Sequence, residues 1–182
     1  DFSAVGVSSA RNVVVNDINA LALNNFNIAG TLGVTTSGAI TGPGALVVGG
    51  AATFSAGQAN NITLNNPAND FNSVGVTTGN NVAITDKSGV DLAQSVVSGT
   101  LAVNSGGAVT DLGALTVSGA ATINAQGDVT LSDAGNDFAS IGVTTPGSVI
   151  LNDISALVLN GSTIGGTLGV TTDGDITDSG NL

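Results

Sequence analysis

Apolar residues along the chain alternate with small or polar ones in short bursts. Val74 and Val76, Val82 and Ile84, Val90 and Leu92, Leu101 and Val103, Leu115 and Val117, and Val129 and Leu131 are each separated by a single residue. A period of two sends the apolar members of a strand to one face and the others to the opposite face, so each burst predicts a short strand buried on one side. Asn, Asp, Gly and Ser stand between the bursts, as in Gly79-Asn80-Asn81 and Asp86-Lys87-Ser88-Gly89. Such residues adopt turn and left-handed conformations at little cost, and they predict corners.

The bursts belong to a longer repeat. Asn69–Asp86 reads NDFNSVGVTTGNNVAITD and Asn136–Asp153 reads NDFASIGVTTPGSVILND, with ten of eighteen positions identical. A third copy, DFSAVGVSSARNVVVND, runs from Asp1 to Asp17. One apolar anchor can be followed through the chain at Val7, Val34, Phe54, Val76, Val103, Ile123, Val143 and Val170, with gaps of 27, 20, 22, 27, 20, 20 and 27 residues. Taken in threes the gaps close a unit of 69 or 67 residues. This reads as three turns, one of them enlarged, with the enlarged turn beginning at Ala20, Gly89 and Ala156. The other two turns carry the Gly44–Phe54 and Gly113–Ile123 segments and the opening phrase.

A short strand is not stable alone, and stacking each turn on the last lets every strand pair with its equivalent one turn away. The expected fold is therefore all-β, a parallel β-solenoid with about 20–27 residues per coil and a three-coil super-repeat of 67–69 residues. It forms one continuous segment over residues 1–182, with units of approximately 1–69, 70–136 and 137–182, and it reads as a fragment of a longer repeat protein. Coils spaced about 4.8 Å apart would carry the eight anchors over about 34 Å. An antiparallel sandwich or barrel also shows short strands at regular spacing. The fixed position of each phrase in its unit and the scarcity of large aromatic residues count against it.

Composition supports strands and narrows the function. Gly, Asn, Thr, Ser, Val and Ala dominate, and all thirteen acidic residues are Asp. Arg11 and Lys87 are the two cations, and the net charge is −11. Nucleic acid and anionic lipid both require a basic face, so neither is an expected partner. No apolar run approaches the length of a membrane-spanning helix, so membrane insertion is not expected.

Candidate chemistry is sparse. The chain has no His, Cys, Tyr or Glu, which removes the Ser–His–Asp arrangement, the Cys/His zinc sets and most general acids and bases. The expectation is no enzyme, no catalytic, cofactor-binding or metal-binding residues, and no cofactor. Phe2, Phe71 and Phe138 recur once per unit and read as filling a wide place in the core or a corner, with an exposed ladder for sugar as the alternative. Phe26 stands where the other units carry Ser95 or Val96 and Ser162 or Thr163, and it is expected to point outward or into a bulge. Asp17, Asp86, Asp111, Asp133, Asp153 and Asp178 recur after the strand that follows the anchor. Asn66, and Gly42 or Pro43, stand at that place in other turns. Caps on backbone N–H groups are the expected role; calcium is the alternative, although the nine-residue calcium repeat is missing. Thr35-Thr36, Thr77-Thr78, Thr144-Thr145 and Thr171-Thr172 could suggest an ice-binding array. Asn104-Ser105, Ser55-Ala56 and Asn124-Ala125 interrupt that array, and corner hydrogen bonding is expected instead. Asn61 and Asn160 begin glycosylation-type triplets, which chance accounts for in a chain this rich in Asn, Ser and Thr.

The segments GALTVSGAATINAQGDVTLSDAGNDF and GTLGVTTDGDITDSG resemble the β-strand repeats of filamentous-haemagglutinin-like exoproteins and related giant bacterial surface adhesins. The likeness covers nearly the whole chain. It implies a secreted or cell-surface rod or fibre segment from a Gram-negative bacterium, serving adhesion, aggregation or biofilm matrix. The partners expected are neighbouring coils or copies of the chain end to end, and surface glycans or host and cell-surface receptors. The alternative function is a polysaccharide-binding, or polysaccharide-cleaving, β-helix module.

Overall fold

The computed structural model describes residues 1–181, which form twenty-one strands and no helix. Every strand pairing is parallel. The chain is thus a β-solenoid, and the antiparallel alternative is excluded. A typical coil is built from Val82–Asp86, Val90–Leu92 and Ser95–Val97, three sides joined by corners, before Leu101–Ser105 begins the next coil on top of the first.

Stacking builds the core. One inward column runs Leu21, Ile40, Ile62, Val82, Leu101, Ala121, Ile141 and Leu159, each paired with the next, and ends at exposed Asp178. All eight apolar members are buried. The eight intervals at about 4.8 Å span about 38 Å, so the rod is longer than the anchors suggested. Each Val, Leu or Ile side chain buried this way contributes about 1.5–3 kcal/mol as an upper estimate. The outward column beside it, Ala22, Thr41, Thr63, Ala83, Ala102, Thr122 and Gly142, holds only small residues.

The 27-residue gaps are not enlarged coils. Paired strands are separated by 18 residues at the shortest, as in Ala4–Ala22, and by 23 at the longest, as in Val48–Phe71. From Val7 the pairing passes to Phe26 and then to Leu46. Leu46 faces Asn69, whose Oδ1 accepts its N–H at 2.9 Å. Three coils therefore end at Asn69, and Val76, the counterpart of Val7, lies seven residues further on, one side round. The second unit repeats the walk from Val76 to Ser95, Leu115 and Asn136, with Val143 again seven residues beyond. A unit is three coils plus one side. Equivalent strands consequently do not lie over one another, and successive units present the same phrase on successive sides of the prism.

Two side-chain expectations change. Phe26 is buried, 2 % exposed, because it sits in the column between Val7 and Leu46. Its counterparts Ser95 and Ser162 solve the same place with hydrogen bonds. Ser95 Oγ accepts the Val76 N–H and Ser162 Oγ accepts the Val143 N–H, both at 3.0 Å. The corner glycines also act differently from the expectation, since only Gly57 has positive φ among the described residues. What most of the others supply is room for the next coil: a Cβ on Gly106 would lie 2.1 Å from the Lys87 carbonyl oxygen.

The anchors Val34, Phe54, Val76, Val103, Ile123 and Val143 are buried, whereas Val7 and Val170, in the end coils, are half-buried. Replacing Val103 with Asp puts a carboxyl in a fully apolar column and is expected to cost about 3 kcal/mol or more. Asn104→Asp, on the exposed side of the same strand, is expected to change stability by less than about 0.5 kcal/mol. Denaturant titration of the two variants measures the contrast.

Candidate functional site

The polar groups that recur along the chain gather at the corners. Three carboxylates form one repeated clasp. Asp17, Asp86 and Asp153 are buried, and Oδ2 of each accepts the N–H of the phenylalanine fifteen residues earlier: Phe2 at 3.1 Å, Phe71 at 2.6 Å and Phe138 at 2.6 Å. Oδ1 closes a turn just ahead, taking the N–H of Ile18 at 2.7 Å, Ser88 at 2.8 Å or Ser155 at 2.9 Å. Each clasp ties one coil to the next and caps the corner between them. Phe71 and Phe138 are buried in the core, and Phe71 meets Phe54 edge to face at 6.3 Å. Phe2, in the first coil, is half exposed.

The Asn of the Asn-Asp-Phe phrase supplies the complementary bond, which was not assigned from sequence. Asn69 and Asn136 are fully buried. Their Oδ1 atoms accept the N–H groups of Leu46 and Leu115 in the preceding coil, at 2.9 and 2.8 Å. Asn69 Nδ2 donates to the Leu64 carbonyl at 3.0 Å, and Asn136 Nδ2 to Asp111 Oδ2 at 2.7 Å. The signal was the presence of Asn before Asp-Phe in both internal copies.

The remaining candidates also cap corners. Asp111 accepts the N–H groups of Ser132 and Asp133 at 3.0 Å, Asp133 that of Gly135 at 2.9 Å, and exposed Asp178 that of Gly180 at 2.8 Å. Asn66 takes the same role, accepting from Ala68 at 2.9 Å and donating to the Pro43 carbonyl at 2.8 Å. In the threonine pairs the second member turns to the corner. Thr36 Oγ1 donates to Gly38 O and Thr145 Oγ1 to Gly127 O, while Thr172 Oγ1 donates to Ser155 O. Thr78 Oγ1 shares a hydrogen bond with Ser55 Oγ at 3.1 Å. Among the described residues no buried side-chain nitrogen or oxygen lacks a partner, and no group of three or more Asp residues stands close enough to hold a metal ion.

One surface groove breaks the pattern. It occupies about 340 Å³ and is lined by Val47, Val48 and Gly49 on one coil, Asp70, Phe71 and Asn72 on the next, and Ser88, Gly89 and Asp91 on the third. It opens where the pairing of Leu46–Ser55 with Asp70–Thr78 slips in register between Val48 and Ala51. At its edge Lys87 Nζ lies 3.0 Å from Asp70 Oδ2, an exposed pair worth at most about 1 kcal/mol. The third unit keeps Asp70 and Ser88 as Asp137 and Ser155 but replaces Asn72 with Ala139 and Asp91 with Val158.

The neighbouring acids titrate in opposite directions. Burial pushes the Asp86 carboxyl above the usual range, against the N–H donors of Phe71 and Ser88. The Lys87 ammonium holds Asp70 below that range. The folded state thus binds the Asp86 proton more tightly than the unfolded chain, and Asp86 loses stability as pH rises from the ordinary carboxylate range through its raised value. Asp70 contributes stability above that range and loses it as pH falls through its lowered value. Asp86→Ala is expected to leave the buried Phe71 N–H without a partner, to cost about 1–3 kcal/mol, and to speed hydrogen exchange at the Phe71 amide but not at Phe138. For Asp86→Asn the stability deficit against the parent chain is expected to shrink as pH rises through the window just above the ordinary carboxylate range, as read from denaturation midpoints at a series of pH values.

Comparison with known proteins gives one match. A family model described as repeats of unknown function (DUF5649) matches residues 10–78, 79–145 and 146–182. No curated protein and no solved structure matches the chain.

Proposed function

The chain belongs to this family of repeats, and from that premise we propose that it is a structural rod segment of a secreted or cell-surface bacterial exoprotein, working in adhesion, aggregation or a biofilm matrix. The observation that carries the reading is where the recurring polar groups spend their bonds. Asp17, Asp86 and Asp153 each hold a backbone N–H of the neighbouring coil with Oδ2 and one in their own corner with Oδ1. Asn69 and Asn136 are used in the same way. Repetition in this chain maintains a stack, and the stack gives length and stiffness. The resemblance to filamentous-haemagglutinin-like adhesins supplies the surface setting. The reading is non-enzymatic, and its partners are surface glycans or cell-surface receptors.

Displayed on a non-adherent bacterium, the chain is expected to raise cell–cell aggregation or retention on a glycan-coated or host-cell surface. Val103→Asp, displayed at equal density, is expected to lose that gain. Retention no greater than that of an undecorated cell on every surface would remove the adhesive reading.

The groove around Asp70, Asn72 and Asp91 favours a second reading, a polysaccharide-binding module, because its carboxylates, amide and Ser88 can take hydroxyl groups of a sugar. A glycan array separates the two: binding abolished by Asn72→Ala with Asp91→Ala supports the groove, and binding unaffected by that double change assigns any glycan contact to another surface.

A further inference from the structure

One side of the prism differs from the other two. It is the side of the column from Leu21 to Leu159, where strands pair from coil to coil without a slip in register. Elsewhere the pairing slips, as between Val48 and Ala51 and between Phe54 and Ser55. The outward residues of this side are also uncharged. Its middle column of Ala, Thr and Gly is flanked by Asn61, Asn81 and Thr100 on one edge and by Thr85, Asn104 and Asn124 on the other. Between Leu21 and Leu159 no Asp, Arg or Lys takes an outward position there, although the chain carries a net charge of −11.

We propose that two copies of the chain pair side by side across this face, each presenting the same surface to the other in an isologous contact. A parallel, in-register sheet of uncharged Asn, Thr and Ala has the form of one half of a dry sheet-to-sheet interface. Ala83 and Ala102 stand at its middle, with nothing beyond Cβ to hold two sheets apart. The polar side chains around them are already held. Asn61 Oδ1 accepts the N–H and Nδ2 of Asn81, both at 3.2 Å, and Asn81 Oδ1 accepts the N–H and Oγ1 of Thr100, both at 3.0 Å. Asn124 Nδ2 donates to Asn104 Oδ1 at 3.0 Å on the opposite edge. Side chains braced in this way lose less freedom on contact.

Charge and area select this occupant. The rest of the surface carries exposed or half-buried carboxylates such as Asp70, Asp91 and Asp128, and copies meeting there would set like charges together. The uncharged side is where two acidic rods approach with those carboxylates turned to solvent. The column from Leu21 to Leu159 is about 34 Å long at about 4.8 Å per coil, and five residues of strand give about 16 Å of width. Each copy therefore offers about 500 Å² and the pair about 1,000 Å², the size of a weak, reversible contact. Repulsion between the remaining acids reaches about a Debye length, about 8 Å at physiological ionic strength, so salt strengthens the pairing. The inference goes beyond the rod reading and does not depend on adhesion.

The test is analytical ultracentrifugation of the purified 182-residue chain from micromolar to millimolar concentration, at low and high sodium chloride. A monomer–dimer equilibrium is expected, shifting toward dimer as salt rises. Ala83→Lys and Ala102→Lys are each expected to raise the dissociation constant at least tenfold, with circular dichroism and melting close to those of the parent chain. Both changes lower the net negative charge, so general repulsion would predict the opposite. Thr130→Lys, outward on another side, is expected not to weaken the dimer. Monomers at every concentration, a dimer indifferent to Ala102→Lys, or a dimer that dissociates as salt rises would each overturn the proposal. A monomer held by a neutral glycan and released by Ala102→Lys would assign the face to sugar and overturn it as well. Monomers that still promote adhesion on cells would overturn this inference and leave the proposed function standing.

Discussion

Burial of each coil's inward side chains by the coils above and below is the interaction on which the rest of this structure depends. A single coil of about twenty residues encloses too little apolar surface to fold alone. Its Val, Ile and Leu residues lose contact with water only when a neighbour is present, as the half-exposed Val7 and Val170 of the end coils show against buried Val103 and Ile123. Stability is then a sum over adjacent pairs. The backbone ladders set the spacing, and the clasps of Asp86 and Asp153 and the amides of Asn69 and Asn136 carry the hydrogen bonding around corners where the ladder is interrupted.

The length of the unit has a geometric consequence. Three coils plus one side, repeated, turn the same phrase by one side of the prism per unit. Val7, Val76 and Val143 therefore occupy three different columns, although they are equivalent in sequence. A phrase must pack against different neighbours at each appearance, which restricts it to side chains that fit all of them. That is a physical reason for the uniform Val, Ile and Leu inside and the uniform Thr, Ala, Gly and Asn outside. It also means that no side of the rod collects identical residues from consecutive units. The threonine pairs accordingly form no continuous array.

Much of the fold was legible because a period of two and a repeat of 67–69 residues are both carried by residue identity. The coil length was not legible in the same way. The anchor is a phrase, and a phrase reports the period of the unit, whereas the coil is set by which residues pair, so a step of one coil plus one side read as a longer coil. Corner capping by Asp and Thr could be read from side-chain chemistry. The burial of Phe26 could not, because the residues that bracket it, Val7 and Leu46, are brought there only by the true register. The groove at Asp70 and Asp91 lies at a slip in strand pairing that recurs between Val117 and Ala120, and only the true register brings its three lining segments together.

The coil register is the central claim, and disulfide trapping measures it most directly. Thr144 pairs with Thr163 on the outer surface, while the phrase spacing of 27 residues would instead place Thr144 beside Thr171. In a chain without native cysteine, Thr144→Cys with Thr163→Cys is predicted to oxidise rapidly to an intramolecular bridge, and Thr144→Cys with Thr171→Cys is predicted to remain reduced. A bridge between 144 and 171 with none between 144 and 163 would contradict the stacking described and return the enlarged coil in its place.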